Sequence, residues 1–388
     1  MSVRPQNCFH NGHQDGLVPL QPLDLAKCKS VDDLVRAMAH TAFGGRQVGE
    51  GADVLEAMVR DSGCGVVMTL SGAMTIAKQG LVITEMIERG MVQAIVSTGA
   101  LVAHGMVEGA GLTHFKVDPR RSDEDNYRDG YNRVYDTYEL ESNLDDCEAA
   151  LRTVLADHDP EDVLCSSRVH ELIGTWLLET RPEGRGILQA AVRQGVPVFA
   201  PAFSDSELGL DLALYNRQRV KAGQQTYRYD PFLDLERFVA TVCPYERRGI
   251  FTIGGGVPRN WAQELGPYVE LLAQRDLIET PSLARYSYAV RICPEPVHWG
   301  GLSGCTYREG VSWGKFVPPN EGGRYAEVPA DATIAWPLIA KAVMQRLDAE
   351  PAPPKQEVKR LPHDTLWTGA DEQFPAGQAP SKTLDKES

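Results

Sequence analysis

Apolar residues in this chain gather into short unbroken runs, each leading into small or polar residues and then into a stretch with helical spacing. "GVVMTLSGAMTIAKQGLVITEMIERG" shows the pattern first, from about Val66 to Gly90. "MVQAIVSTGALVAHGMVEG" repeats it, with a strand predicted through Ile95 and Val96 and ending at Ser97. "GVPVFAPAFSDSELGLDLAL" and "GIFTIGGGVPRNWAQELGPYVELLA" repeat it again, and "SYAVRICPEP" reads as a further strand. Runs that do not alternate with polar residues are buried on both faces, so the chain is predicted to be α/β, with a Rossmann-like parallel sheet and helices on both faces. No fixed-period repeat accompanies the pattern.

Boundaries follow from where the pattern stops. Residues 1–24 are largely polar and irregular, and are expected to be a flexible N-terminal segment. A helix is predicted to begin after Ser30, with Asp32 and Asp33 in its first turn, where the helix dipole favours acids. Residues 25–349 read as one domain. Residues 115–145 are charged and tyrosine-rich, an excursion from the sheet suited to a subunit contact or an active-site flap. From about 350 to 388 Pro, Lys, Glu, Gln and Gly dominate, which predicts a disordered tail in which Trp367 could dock on the body.

Composition narrows the function classes. The 388 residues are 43% hydrophobic and 24% charged, enough for a sizeable core. The formal charge is −14, which disfavours nucleic acid as a partner and steers cations, polyamines included, towards the surface; it also serves solubility. The eight cysteines include no CxxC pair, and no metal-ligand cluster is evident, so no metal is expected. The first residues contain no apolar secretory core, and no run approaches the ~18 apolar residues of a membrane span. A cytoplasmic protein without a membrane partner is expected.

Ligands of parallel α/β sheets bind beyond the carboxyl ends of the strands. Four clusters of small residues fall there: Ser71-Gly72-Ala73, Ser97-Thr98-Gly99-Ala100, Ala202 to Asp205, and Gly254-Gly255-Gly256. Each is a tight strand–helix turn in its own right, or a place where backbone N–H groups approach a phosphate. The GxGxxG fingerprint is absent from these turns, which disfavours an ordinary dehydrogenase. In "EGVSWGKF", an extended 309–315 would project Glu309, Val311, Trp313 and Lys315 to one side. Lys315 is then either a surface lysine lying along the indole or a nucleophile that could form a Schiff base. Asp205, Glu207 and Asp211 could bind a ribose hydroxyl or a substrate amine, or cap the helix that follows. Asp331 reads as an N-cap or a ligand-facing acid. His104 and His298 are either proton carriers or structural residues.

These motifs together resemble the deoxyhypusine synthase family. "EGVSWGKF" is similar to its active-site lysine motif, and "GLSGCTYREGVSWGK", "TIGGGVPRN", "PAFSDSELGLDLAL", "AIVSTGA" and "ADATIAWPLIA" occur in family order between about residues 25 and 345. The wording of "STGA" and "DSELGLD" is closest to the bacterial-type, deoxyhypusine synthase-like branch. The resemblance implies an NAD-dependent aminobutyl transferase acting on polyamines, built as a homotetramer with sites at subunit interfaces. It implies Lys315 as the imine-forming residue. Glu309, Trp313, Asp211, His104 and Asn260 would contact the amine. Ser71, Gly72, Ala73, Ser97, Thr98, Gly99, Asp205, Asp331 and Ala332 would surround NAD. The chain departs from the eukaryotic pattern at Asn260, where a histidine is usual. It departs again at Leu302, where aspartates precede the Ser-Gly pair, and at Ala103 and His104, where two glutamates are usual. These changes favour a small-amine acceptor with a homospermidine-type product, with the lysine of a translation-factor precursor as the other acceptor. A non-catalytic NAD-binding oligomer that senses nucleotide or polyamine is the alternative.

Overall fold

The computed structural model describes residues 9–278 and 283–358. Nine strands run through these residues: β1 Cys64–Leu70, β2 Ala94–Ser97, β3 Phe115–Lys116, β4 Tyr131–Val134, β5 Thr137–Leu140, β6 Val198–Phe199, β7 Arg247–Ile253, β8 Tyr288–Ile292 and β9 Arg324–Val328. Six form a sheet in the order β6-β2-β1-β7-β8-β9, and every pairing in it is parallel. The chain winds outward from β1 to β6, then crosses back to β7 and winds the other way. The switch point therefore lies between β1 and β7, the position at which doubly wound sheets take their ligands.

Register aligns the strand ends. Leu70 pairs with Ser97 and with Ile253, Ile253 with Ile292, and Ile292 with Val328. The four small-residue turns identified from the sequence thus leave one edge of one sheet. Alternate residues of a strand feed opposite faces. Val66, Met68 and Leu70 join the larger cluster around Leu55, Ile83 and Trp336, while Val67 joins Phe199, Phe238, Tyr286 and Phe316. Both faces are covered, which is why β1 is buried along its whole length and carries no polar alternation.

Strand β6 is only two residues long, because Pro197 and Pro201 bracket it and neither can donate to a ladder. The sequence pattern did not reveal β9, whose "RYAEV" mixes charge with apolar residues in the manner of an edge strand. The first predicted helix is present as Val31–Ala39, with Ser30 and Asp33 forming a reciprocal capping box. Residues 115–140 make a separate antiparallel sheet in the order β3-β5-β4. Beyond the last helix, Ala332–Ala349, the chain lies against the body. Lys355 Nζ donates to the carbonyls of Met58 and Asp61, and Gln356 N donates to Ser62. Trp367 and the remainder of the expected tail lie outside the described residues. No helix among the described residues is long and apolar enough to cross a membrane.

Candidate functional site

The turns after β1 and β7 are locked together at the switch point. Gly255 N donates to Ser71 Oγ at 2.8 Å. Gly254 holds a left-handed φ of 77°, and a Cβ there would stand 2.3 Å from Ser71 Oγ. A Cβ on Gly255 would stand 2.5 Å from Ser303 Cα, so the glycine triplet lets the "LSG" turn lie directly on the β7 turn. A helix follows each of four strand ends: Gly99–Gly109 capped by Thr98, Glu207–Lys221 capped by Ser206, Gly256–Gln263, and Ala332–Ala349 capped by Asp331. Their positive ends converge on the carboxyl edge of the sheet.

The caps resolve several open roles. Asp331 Oδ1 accepts from Thr333 N at 2.7 Å, so this acid does cap its helix, and Ala332 is the first residue within it. Among "SDSELGLD" the cap is Ser206, not a carboxylate, which leaves Asp205, Glu207 and Asp211 for other work. Asp205 is exposed in the turn itself. Burial, reinforced by repulsion from Glu148, Glu207 and Asp145, pushes the Asp211 carboxyl up to about 7.

The segment around Lys315 is not extended. Tyr307–Ser312 is a helix with a capping box between Thr306 and Glu309. Glu309 Oε2 accepts from Thr306 N at 2.6 Å and from Thr306 Oγ1 at 2.9 Å, and these bonds hold its carboxyl below the usual range. Glu309 is therefore turned to its own helix end, and the four-residue strip expected from alternation is not formed. The Thr-x-x-Glu spacing that dictates this was present in the sequence.

Lys315 is nonetheless enclosed. After the helix, Gly314 turns with a φ of 70°, and Lys315 O accepts from Tyr286 N at 2.9 Å, which docks the segment beside β8. The side chain points inward and the residue is 7% exposed. Its Nζ donates to Asn260 Oδ1 at 3.0 Å and to Glu264 Oε1 at 2.9 Å, and stands 5.8 Å from the Trp313 ring centroid. Asn260 and Glu264 are one turn apart, on the helix that rises from the glycine triplet and at its C-cap. The carboxylate expected beside the lysine is thus Glu264, which sequence spacing alone did not single out. Trp313 itself is 70% exposed, with Trp299 exposed nearby in the chain.

His104 lies in the helix after β2, and its neighbours come from the 115–140 excursion. Its Nδ1 is 3.1 Å from Glu139 Oε2, which also meets His114 Nε2 at 2.6 Å. Its Nε2 faces Glu207 Oε1 at 3.7 Å. Burial opposes ionisation of Glu139, but hydrogen bonds from His104, His114 and Asn143 outweigh it and hold the carboxyl at about 2. The excursion therefore reaches a predicted site residue. His298 is exposed, and its ring meets that of Trp299 edge-on.

Comparison with known proteins gives the family that the motifs resemble. A family profile described as deoxyhypusine synthase matches residues 33–343. "Probable deoxyhypusine synthase 2" of Methanosarcina acetivorans is 32% identical over 356 residues, covering 91% of this chain and 95% of that one. "Deoxyhypusine synthase-like protein" of Chlorobaculum parvum is 32% identical over 323 residues, covering 83% and 88%. The fold is similar to a crystal structure of a deoxyhypusine synthase candidate from Entamoeba histolytica, with a TM-score of 0.56 and 14% identity over 84% of this chain and 97% of that one.

Proposed function

Because the chain belongs to the deoxyhypusine synthase family, we propose that it is a transferase moving an aminobutyl group from a polyamine, with NAD as hydride carrier and Lys315 as covalent carrier. The observation that carries this reading is the enclosed ammonium of Lys315, bonded to Asn260 and Glu264 on the helix that starts at the glycine triplet. A lysine kept only for solubility would have no reason to be 7% exposed.

The carboxyl edge fits a dinucleotide. Four helix N-termini open onto it, and Cβ atoms built on Gly72 and Gly256 would meet little or nothing there, so the backbone can be approached closely. Ser71 to Ala73, Ser97 to Gly99, Asp205, Asp331 and Ala332 would hold the nucleotide. NAD bound there would accept a hydride from the carbon beside the secondary amine of spermidine and later return it.

The chain's own residues account for the transfer. Glu264 Oε1 is within reach to take the proton that Lys315 must shed before its nitrogen attacks. The neutral amine adds to the oxidised carbon, the bond to the departing 1,3-diaminopropane nitrogen breaks, and the aminobutyl unit stays on Lys315 as an imine. An incoming amine adds to the same carbon and releases the lysine. Asn260 orients Nζ but has no proton to give at neutral pH. Asp211, whose carboxyl is pushed up by burial and by the acids around it, would be held as a carboxylate by an ammonium group beside it. Trp313 and Trp299, both exposed in one chain, are suited to closure of the amine channel by a second subunit, in keeping with a homotetramer.

The acceptor follows from the same pocket. The departures at Leu302, Ala103 and His104 leave a smaller acidic lining, which favours a small amine such as putrescine over a protein lysine. Incubation with NAD, spermidine and putrescine is expected to release 1,3-diaminopropane and form homospermidine with no net NADH, as read by mass spectrometry and absorbance. Accumulating NADH would instead identify an amine dehydrogenase, and NAD binding without diaminopropane would identify a sensor.

A further inference from the structure

Glu139 is 1% exposed, lies on β5 outside the main sheet, and divides its two oxygens between different tasks. Oε1 accepts from Leu140 N at 3.0 Å and from Asn143 Nδ2 at 2.7 Å, which fixes the carboxylate plane. Oε2 meets both His104 Nδ1 and His114 Nε2. On the far side of His114, Lys78 Nζ stands 3.2 Å from Nδ1 and is also paired with Glu108. An ammonium only donates, so His114 Nδ1 accepts and the proton of a neutral His114 sits on Nε2, towards Glu139. An ionised carboxylate only accepts, so His104 donates through Nδ1. In a neutral His104 this leaves the Nε2 lone pair directed away from Glu139, on the side of Glu207.

The surroundings of that nitrogen suit a cation. Glu207 Oε1 is 3.7 Å away, and Glu207 Oε2 is buried without a hydrogen-bond partner. Asp211 follows one turn later on the same helix, and Asp145 and Glu148 act on it electrostatically from Glu141–Ala156. The same His104, His114 and Glu139 donor atoms lie within 4.8 Å of one another, a spacing open to a metal ion. Coordination through His114 Nε2 would, however, move that ring's proton to Nδ1, facing the Lys78 ammonium donor to donor.

We infer that His104 accepts the proton which the secondary ammonium of the polyamine must lose before hydride leaves the neighbouring carbon, and that Glu139 is its positioning residue. The inference rests on the transferase reading above. In the step, one N–H bond of the dialkylammonium breaks and its proton bonds to His104 Nε2, giving a neutral secondary amine and an imidazolium. The electron pair stays on the amine nitrogen, and no oxidant is consumed. The imidazolium then lies between the carboxylates of Glu139 and Glu207, which stabilise it. This supplies a proton acceptor in a chain whose Asn260 cannot be one.

The test is steady-state turnover of the full chain with NAD and spermidine, with His104→Ala and Glu139→Gln as variants. His104→Ala is expected to lower kcat roughly 100-fold with KM changed by less than about threefold, and added imidazole is expected to restore part of the loss. Glu139→Gln, which keeps the shape of the side chain, is expected to lose about tenfold in kcat without rescue by imidazole. Unchanged kcat in His104→Ala, an effect on KM alone, or failure of imidazole to rescue a folded variant would overturn the inference. So would a stoichiometric metal ion whose removal abolishes turnover. A wild-type protein that releases no diaminopropane would overturn the transferase reading, and this inference with it, whereas loss of the His104 effects alone leaves that reading standing.

Discussion

Replacing Lys315 with alanine is expected to reduce aminobutyl transfer by roughly 10³-fold or more while leaving NAD affinity within about threefold of the wild type. The asymmetry is the point. Lys315 Nζ touches Asn260 and Glu264, whereas the turns that would hold the dinucleotide are built from Ser71, Thr98 and the glycine triplet without it. Lys315→Arg sharpens the test, because guanidinium retains the charge that pairs with Glu264 but cannot serve as a nucleophile at neutral pH. Both variants should be equally inactive. Calorimetric titration with NAD and quantitation of diaminopropane read the two quantities separately. Activity within tenfold of wild type in either variant would remove the covalent role, and loss of NAD binding would make Lys315 a structural residue.

The second large effect concerns the support of the site. Asp234, 2% exposed, accepts from Ser166 N and Oγ at 2.8 and 2.6 Å and from Ser167 N and Oγ at 3.0 and 2.6 Å. Ser166 Oγ in turn accepts from Ala200 N at 2.8 Å, at the point where β6 gives way to the turn carrying Asp205. One carboxylate therefore satisfies the first N–H groups of the helix Ser166–Thr180 and, through a hydroxyl, holds the third of the site's turns. Asp234→Ala strands buried donors and is expected to cost about 3–5 kcal/mol of stability. It should also weaken NAD binding through the displaced turn. A urea unfolding midpoint checks the first effect, and a loss below about 1 kcal/mol would show that water replaces the carboxylate.

Most of the sheet was legible because burial on both faces writes an unbroken apolar run, as in "VVMTL" and "AIVS". Strand β9 was not, since an edge strand admits Arg324 and Glu327 and loses that signature. Around Lys315 two local signals competed. Alternation across two glycines suggested an extended strip, but Thr306 and Glu309 form a capping box, and a satisfied helix N-terminus prevailed. The partners of the key side chains were the least legible. Glu264 stands 51 positions from Lys315, and Glu139 stands 35 from His104, so only the sheet and its antiparallel excursion bring them together. The family motifs identified Lys315, His104 and Asn260 as residues to watch. What each one touches depends on topology.

Borohydride reduction during turnover, followed by peptide mass spectrometry, tests the covalent role of Lys315 most directly. With NAD and spermidine present, the peptide containing Trp313 and Lys315 should gain the mass of a reduced aminobutyl group, and it should gain nothing when NAD is withheld. An unmodified Lys315 in protein that is releasing diaminopropane would contradict the account.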